Sequence, residues 1–209
     1  MLRLLTTAVA MMLATVPGLA QVSTWEVDSS HSGAHFSVRH MMIATVRGEF
    51  RKVTGTMQLD ERDISKSTVE AVIDAATIDT REERRDNDLR SANFFDVAKF
   101  PSITFKSKSV TRLGEGKFKV AGDLTMHGVT KEVILDVEGL NAQVNDPRRG
   151  PKMGASATTQ IKRSEFGLTW NRVVETGGVA VSDEVAIIID LEFVKKAPAA
   201  STTSGGSAK

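Results

Sequence analysis

The chain contains no cysteine. That excludes disulfides, thiolate metal sites and the lipid anchor that a bacterial lipoprotein attaches to an N-terminal cysteine. A domain without such staples must hold together by burying a core, which a chain of 209 residues is long enough to do. Excess charge of one sign is also missing. With 27 basic and 26 acidic residues the net charge is +1, which gives no electrostatic reason for nucleic acid or an anionic membrane surface to be the main target. No serine sits in a nucleophile elbow, and no glycine-rich loop leads into a lysine, so the usual signatures of hydrolases and phosphate-binding enzymes are absent.

A membrane-spanning run is missing as well. The apolar stretch at residues 4–16 falls short of the ~20 residues a span requires. Arg3 precedes it and Gly18-Leu19-Ala20 follows, the order of a secretory signal peptide cleaved after Ala20. Residues 1–20 are therefore expected to be a leader, residues 21–196 one domain, and the Ala-, Pro-, Ser- and Gly-rich residues 197–209 a disordered tail. An exported protein, with the periplasm as its address and no membrane span after cleavage, is the expectation. Loss of Arg3 would leave 27 − 1 = 26 basic against 26 acidic residues, a neutral mature chain.

What the chain does have is alternation. Ala34, Phe36, Val38 and His40 share one face, with His35, Ser37 and Arg39 on the other. Strand patterns follow at residues 46–59, 68–78, 103–112, 118–126, 133–137, 153–161 and 185–193, after a first strand at residues 25–39. Residues 60–66 read as a turn and 145–151 as a loop. Eight strands in mostly antiparallel order suit a small closed barrel, whose interior is filled by side chains or holds one ligand. A two-sheet sandwich fits the same periodicity.

One stretch breaks the pattern. At residues 80–105 the sequence reads helix, then an aromatic corner at Phe94-Phe95, then strand again after Pro101. Thr80-Arg81-Glu82-Glu83 matches a capping box, with Thr80 expected to cap the helix and Glu83 to reach back. The charge run at residues 81–90 reads as a solvated face, with Arg85 and Asp86 as candidates to fix the helix against a rim. A helix in a β-rich chain is expected to cover one end of what the strands enclose.

Several motifs occur in order: HSGAHFSVRH at 31–40, RDNDLRSANFFD at 85–96, FPSITF at 100–105, GDLTMHGVTK at 122–131, RSEFGL at 163–168 and VSDEV at 181–185. Together they resemble the YceI family of exported, lipocalin-like proteins, over residues 25–193. The resemblance implies an all-β fold: an eight-stranded antiparallel, lipocalin-like β-barrel with a helix across one end. It further implies an internal hydrophobic tunnel holding a polyisoprenoid or similar long-chain amphiphile. Family members often have histidine where this chain has Asp88, so a role for that histidine in head-group recognition is not expected here.

A binder of this kind needs no cofactor and no catalytic residue, only a cavity lined by rings and branched aliphatics. Candidate lining residues are Phe36, Val38, His40, Met57, Ile73, Phe94, Phe95, Ile103, Phe105, Leu124, Phe166, Leu168 and Trp170, with ordinary core packing as the competing reading of each. Met41, Met42 and Ile43 lie beyond their strand and suit a mouth, so Met42 and Ile43 join the candidates. Arg39, Arg47 and Arg163 are candidate contacts for a polar head. The expected ligand is a long-chain isoprenoid, polyprenyl or quinone-like, or another amphiphilic lipid. A fatty acid or fatty amide is the alternative, and a metal- or haem-binding electron-transfer accessory using the four histidines is a further one. The histidine spacing does not form a convincing ligand set, so no metal is expected. A homodimer is open.

Overall fold

The computed structural model describes residues 22–173 and 178–197. The expected leader and all but the first residue of the expected tail lie outside them. In chain order the strands are β1 (Val22–Val27), β2 (Gly33–His40), β3 (Ala44–Phe50), β4 (Val53–Asp60), β5 (Thr68–Asp74) and β6 (Ile78–Asp79). Helix α1 (Glu83–Arg90) follows, then β7 (Ser102–Gly114), β8 (Lys117–Met126), β9 (Val129–Asp146), β10 (Gly150–Lys162) and β11 (Glu184–Lys195).

The wall runs β1-β4-β5-β7-β8-β9-β10-β11, and β11 returns to β1 through Trp25↔Lys195 and Val27↔Phe193. That pairing closes an antiparallel barrel of eight strands and rules out the sandwich. Strands β2, β3 and β6 extend three of these wall positions toward the α1 end. The β11 strand pairs with β1 near its C-terminus and with β2 over Ala186–Asp190, so β1 and β2 form one interrupted wall strand.

Three strands expected to be continuous are thus each broken once. The first breaks at the 3-10 turn Ser29–His31, where the Asp28 carboxylate accepts from the Ser30 amide. The third breaks at Ala75–Thr77, where Asp74 accepts from the Ala76 amide in the same way. The second breaks at Arg51 and Lys52, between β3 and β4. An aspartate that bonds its own chain two residues on offers the backbone an alternative to the ladder, and here it takes it. In the other direction, β9 and β10 run further than expected. Only residues 147–149 separate them, and Asn145 and Pro151 are paired within the ladder.

The expected capping box does not form. Glu82 is the N-cap of α1, and its carboxylate accepts from the Arg84 and Arg85 amides. Thr80 instead works with Asp86, as described below. At the end of the barrel remote from α1, Trp25, Met57, Leu59, Met153 and Phe193 pack into a seal, with Trp25 fully buried and its indole N–H donating to the Ser23 hydroxyl. Toward α1, Phe50, Ile78, Ile103, Met126 and Phe166 form the main cluster, with Leu89, Phe95 and Val97 packed against it.

Candidate functional site

Between the Trp25 seal and α1 the barrel encloses a cavity of about 400 Å³. Every second residue of the long strands faces it. The β11 strand contributes Val185, Ile187, Ile189, Leu191 and Phe193; β10 contributes Ala155, Ala157, Thr159 and Ile161; β9 contributes Val133, Leu135 and Val137. Five successive inward positions on β11, from Val185 to Phe193, span eight residue steps, and at ~3.4 Å per step with a ~40° strand tilt the lining extends for roughly 20 Å along the axis. The cavity is long rather than round.

Two glycines let rings lie across the inner wall. A Cβ at Gly48 would meet the Phe36 ring at 2.4 Å, and one at Gly122 would meet the Phe105 ring at 2.5 Å. Phe36 lies opposite Gly48 in the ladder, and Phe105 lies diagonally across from Gly122. Both aromatic faces are therefore turned onto backbone, leaving the interior open.

The α1 segment shuts the other end with aromatics. Phe95 meets Phe50 edge-on at 5.5 Å, Phe50 continues to Phe36 at 5.8 Å, and Phe94 packs on Trp170 at 5.1 Å. The helix is pinned from below. Asp86, 6% exposed, accepts from both the amide and the hydroxyl of buried Thr80. The Arg85 guanidinium donates to the Thr80 hydroxyl and carbonyl, and Arg90 donates to the carbonyls of Ala76 and Ile78. Arg81, Glu82, Glu83, Arg84 and Asp88 are exposed, so the charge run is a solvated face except at Arg85, Asp86 and Arg90, which fasten it.

Of the candidate lining residues, Phe36, Val38, His40, Met57, Ile73, Phe94, Phe95, Ile103, Phe105, Leu124, Leu168 and Trp170 border this cavity. Three do not. Phe166, 1% exposed, sits in the 3-10 turn Arg163–Phe166 and packs into the solid cluster beside it. Met42 and Ile43 stand outside, at the tip of the β2–β3 hairpin and 53% and 79% exposed. Beyond these candidates, the inward faces of β9, β10 and β11, plain in the sequence alternation, also line the cavity, and Thr80, Arg85 and Asp88 border its α1 end.

The three arginines separate. Arg39 lies outside and donates to the Met42 carbonyl and the Thr45 hydroxyl. Arg47 borders a groove on the outer wall with Glu49, Asp79 and Arg81. Arg163 borders the cavity, but its guanidinium is committed to backbone: Nε to Ser182 O at 2.9 Å, Nη1 to Leu168 O at 2.5 Å and Nη2 to Val181 O at 3.4 Å.

The histidines also separate. His40 and His35 both border the cavity, His35 also lying beside Glu49, and His127 packs edge-on against Phe100. His31 comes together with Asp28 and Glu192 within ligand reach of one another. Cations already hold these carboxylates: Arg149 bonds Asp28 at 2.5 Å and Lys152 bonds Glu192 at 2.7 Å. The Ser30 hydroxyl first, then His31 and Arg149, hold the Asp28 carboxyl well below its usual range against the opposing effect of burial. The cluster is an ion-pair network that ties β10 and β11 to the break between β1 and β2.

A closed eight-stranded barrel with one covering helix and a long apolar interior is a lipocalin-like architecture. The model of the YceI-like domain matches residues 25–193, and the chain belongs to that family. Relatives include a UPF0312 protein of Staphylococcus aureus, 35% identical over 82% of this chain and 98% of its own length. A UPF0312 protein of Vibrio parahaemolyticus is 36% identical over 77% and 84%. Among solved structures, BcnA of Burkholderia cenocepacia superposes with a TM-score of 0.69 at 25% identity, covering 79% of this chain and 98% of that one. A polyisoprenoid binding domain from Saccharophagus degradans shares the fold, with a TM-score of 0.60 at 17% identity over 82% and 98%.

Proposed function

We propose that this protein is a periplasmic carrier that sequesters a long-chain isoprenoid lipid, polyprenyl or quinone-like, inside the barrel and performs no catalysis. The observation that carries the reading is the cavity itself. It measures about 400 Å³, within the ~300–1,000 Å³ of small-molecule sites. Its walls are predominantly aliphatic and aromatic side chains, and apolar cavities of this kind stay dry and take apolar guests. Burial contributes ~0.8 kcal/mol per methylene, so a few isoprene units supply the driving force without any bond to a head group. The elongated shape favours a chain over a compact molecule. The leader expected at residues 1–20 supports the periplasmic address, and the polyisoprenoid-binding relative of the same fold supports the ligand class.

Native mass spectrometry of the protein purified gently from its own host tests this reading. The expected result is a bound species with an isoprenoid or quinone mass. A barrel that is empty in every preparation and takes up neither prenols nor quinones overturns it, and a co-purified fatty acid or amide transfers the assignment to that class.

A further inference from the structure

We infer that the ligand of this barrel carries an uncharged head with a hydroxyl donor, an alcohol or a hydroquinone, and that Asp88 at the mouth selects it over a phosphorylated chain. The inference rests on the carrier reading and narrows the class of lipid that reading names.

The cavity reaches solvent beside α1. Of the residues that border it, His40, Thr68, Asp88 and Trp170 are exposed. Thr68 begins β5, and the other three lie at the α1 end. The wall is incomplete there. Strand β3 pairs with β6 only through Glu49 and Phe50, which leaves residues 44–48 without a strand partner on that side. Helix α1 is fastened to β6 and the residues around it through Asp86, Arg85 and Arg90, and has no hydrogen bond to β2 or β3 among the described residues. The mouth therefore lies between α1 and the β2–β3 hairpin. A chain buried in the apolar interior leaves its polar head at this mouth, where water and polar side chains can meet it.

Five ionisable side chains border the cavity: His35, His40, Arg85, Asp88 and Arg163. Both arginines are committed to the fold. Arg163 bonds three carbonyls, and the charge of Asp183 acts against its own. Arg85 bonds the Thr80 hydroxyl and carbonyl at 2.7 and 2.8 Å, and Asp86 shares that hydroxyl. His35 is held by Glu49. Asp88 is different. One of its oxygens accepts from the exposed Asn93 amide at 2.8 Å, and among the described residues no basic group lies within ion-pair distance of it. A carboxylate in the last turn of a helix opposes the dipole, so Asp88 serves α1 poorly. Exposed charges around the mouth come in both signs, Arg39, Arg81, Arg84 and Arg172 against Glu82, Glu83 and Glu165, so no cationic field masks it.

An ionised carboxylate accepts hydrogen bonds and donates none. A hydroxyl on the head can give it a charge-assisted bond. An ether or a quinone carbonyl has no proton to give, and a phosphate meets a like charge in a half-dry mouth. Selection is made by repulsion as well as by attraction.

Displacement of the apolar fluorophore N-phenyl-1-naphthylamine from delipidated protein tests this, with farnesol, farnesyl methyl ether and farnesyl phosphate as competitors. The assay is run at about pH 8, where an ordinary imidazole is uncharged and a phosphate monoester is a dianion. On the wild type, farnesol should act at about a tenfold lower concentration than farnesyl phosphate and several-fold lower than the ether. In Asp88→Ala the three should converge, and in Asp88→Lys the phosphate should become the strongest. Asp88 is exposed, so an unchanged unfolding midpoint is expected of both variants; if either fails to fold, the wild-type order decides. A phosphate or an ether that matches farnesol on the wild type, or an order that the folded variants keep, overturns the proposal while the carrier reading stands. If neither the fluorophore nor farnesol is taken up, the carrier reading fails and the proposal falls with it.

Discussion

Arg163 shows how a residue can border a cavity and still belong to the fold. Burial pulls its pKa down from the usual value, with Asp183 partly opposing, yet a guanidinium stays protonated in a protein. At 6% exposure it spreads over the carbonyls of Leu168, Val181 and Ser182, sewing the Trp170 segment and the start of β11 to the end of β10. Replacing it leaves three partly buried acceptors without their donor. Arg163→Met is therefore expected to cost about 3 kcal/mol in urea unfolding, because hydrogen bonds to a charged group are worth ~1.5–3 kcal/mol and unmet buried acceptors add to the loss. Arg163→Lys should recover less than half of that, since one ammonium cannot reproduce a planar fork. Full recovery by lysine would mean that charge alone matters and would favour the head-group role. The RSEFGL motif marks the residue as important, but its acceptors lie five and eighteen or nineteen positions further on. Only the fold brings them within reach.

At the scale of the element, the helix was legible and its fastening was not. The polar, capping-box-like Thr80–Glu83 start and Pro101 place a helical interruption before β7, and Phe94 and Phe95 do turn toward the cavity. The Thr80–Glu83 spacing imitates a capping box, but chain geometry starts the helix later, with Arg81 in the left-handed region at φ +63° and Glu82 as the cap. Thr80 and Asp86 are six residues apart, too far for a local sequence rule, and meet only because the helix folds back onto β6. This predicts an order of costs that a capping box would not produce. Glu82→Ala removes an exposed cap and should cost ~1 kcal/mol. Asp86→Ala leaves the buried amide and hydroxyl of Thr80 unsatisfied and should cost about 3 kcal/mol. Thermal unfolding of the two variants checks this, and equal losses would say that capping, not the Thr80–Asp86 anchor, holds the helix in place. The broken strands have the same origin: the inward phase changes from Trp25 to Ala34 and Phe36 across Asp28, and from Ile73 and Ala75 to Ile78 across Asp74, where side-chain bonds to the backbone stop the ladder.

For the molecule as a whole, the cavity is an energetic problem that a ligand would solve. At ~24 cal/mol per Å³, an unfilled space of about 400 Å³ corresponds to a cost on the order of 10 kcal/mol, similar to the ~5–15 kcal/mol net stability of an ordinary domain. Closure of the wall and the Trp25 seal keep the barrel standing, but anything that fills the interior should stabilise it. Ala157 offers the way to test this. It sits mid-wall on β10 between Val137 and Ile189, 7% exposed and facing the cavity. In a solid core Ala157→Trp would overpack and lose ~1–3 kcal/mol. In a barrel that keeps room for a guest the indole takes up part of the empty volume, and the unfolding midpoint of the delipidated variant should match or exceed that of delipidated wild type. The same variant should retain less isoprenoid in native mass spectra, because its own side chain occupies the ligand's place. Stability gained and ligand lost together would identify the interior as reserved space. A destabilised variant that still carries full ligand would mean that the guest, if any, lies elsewhere.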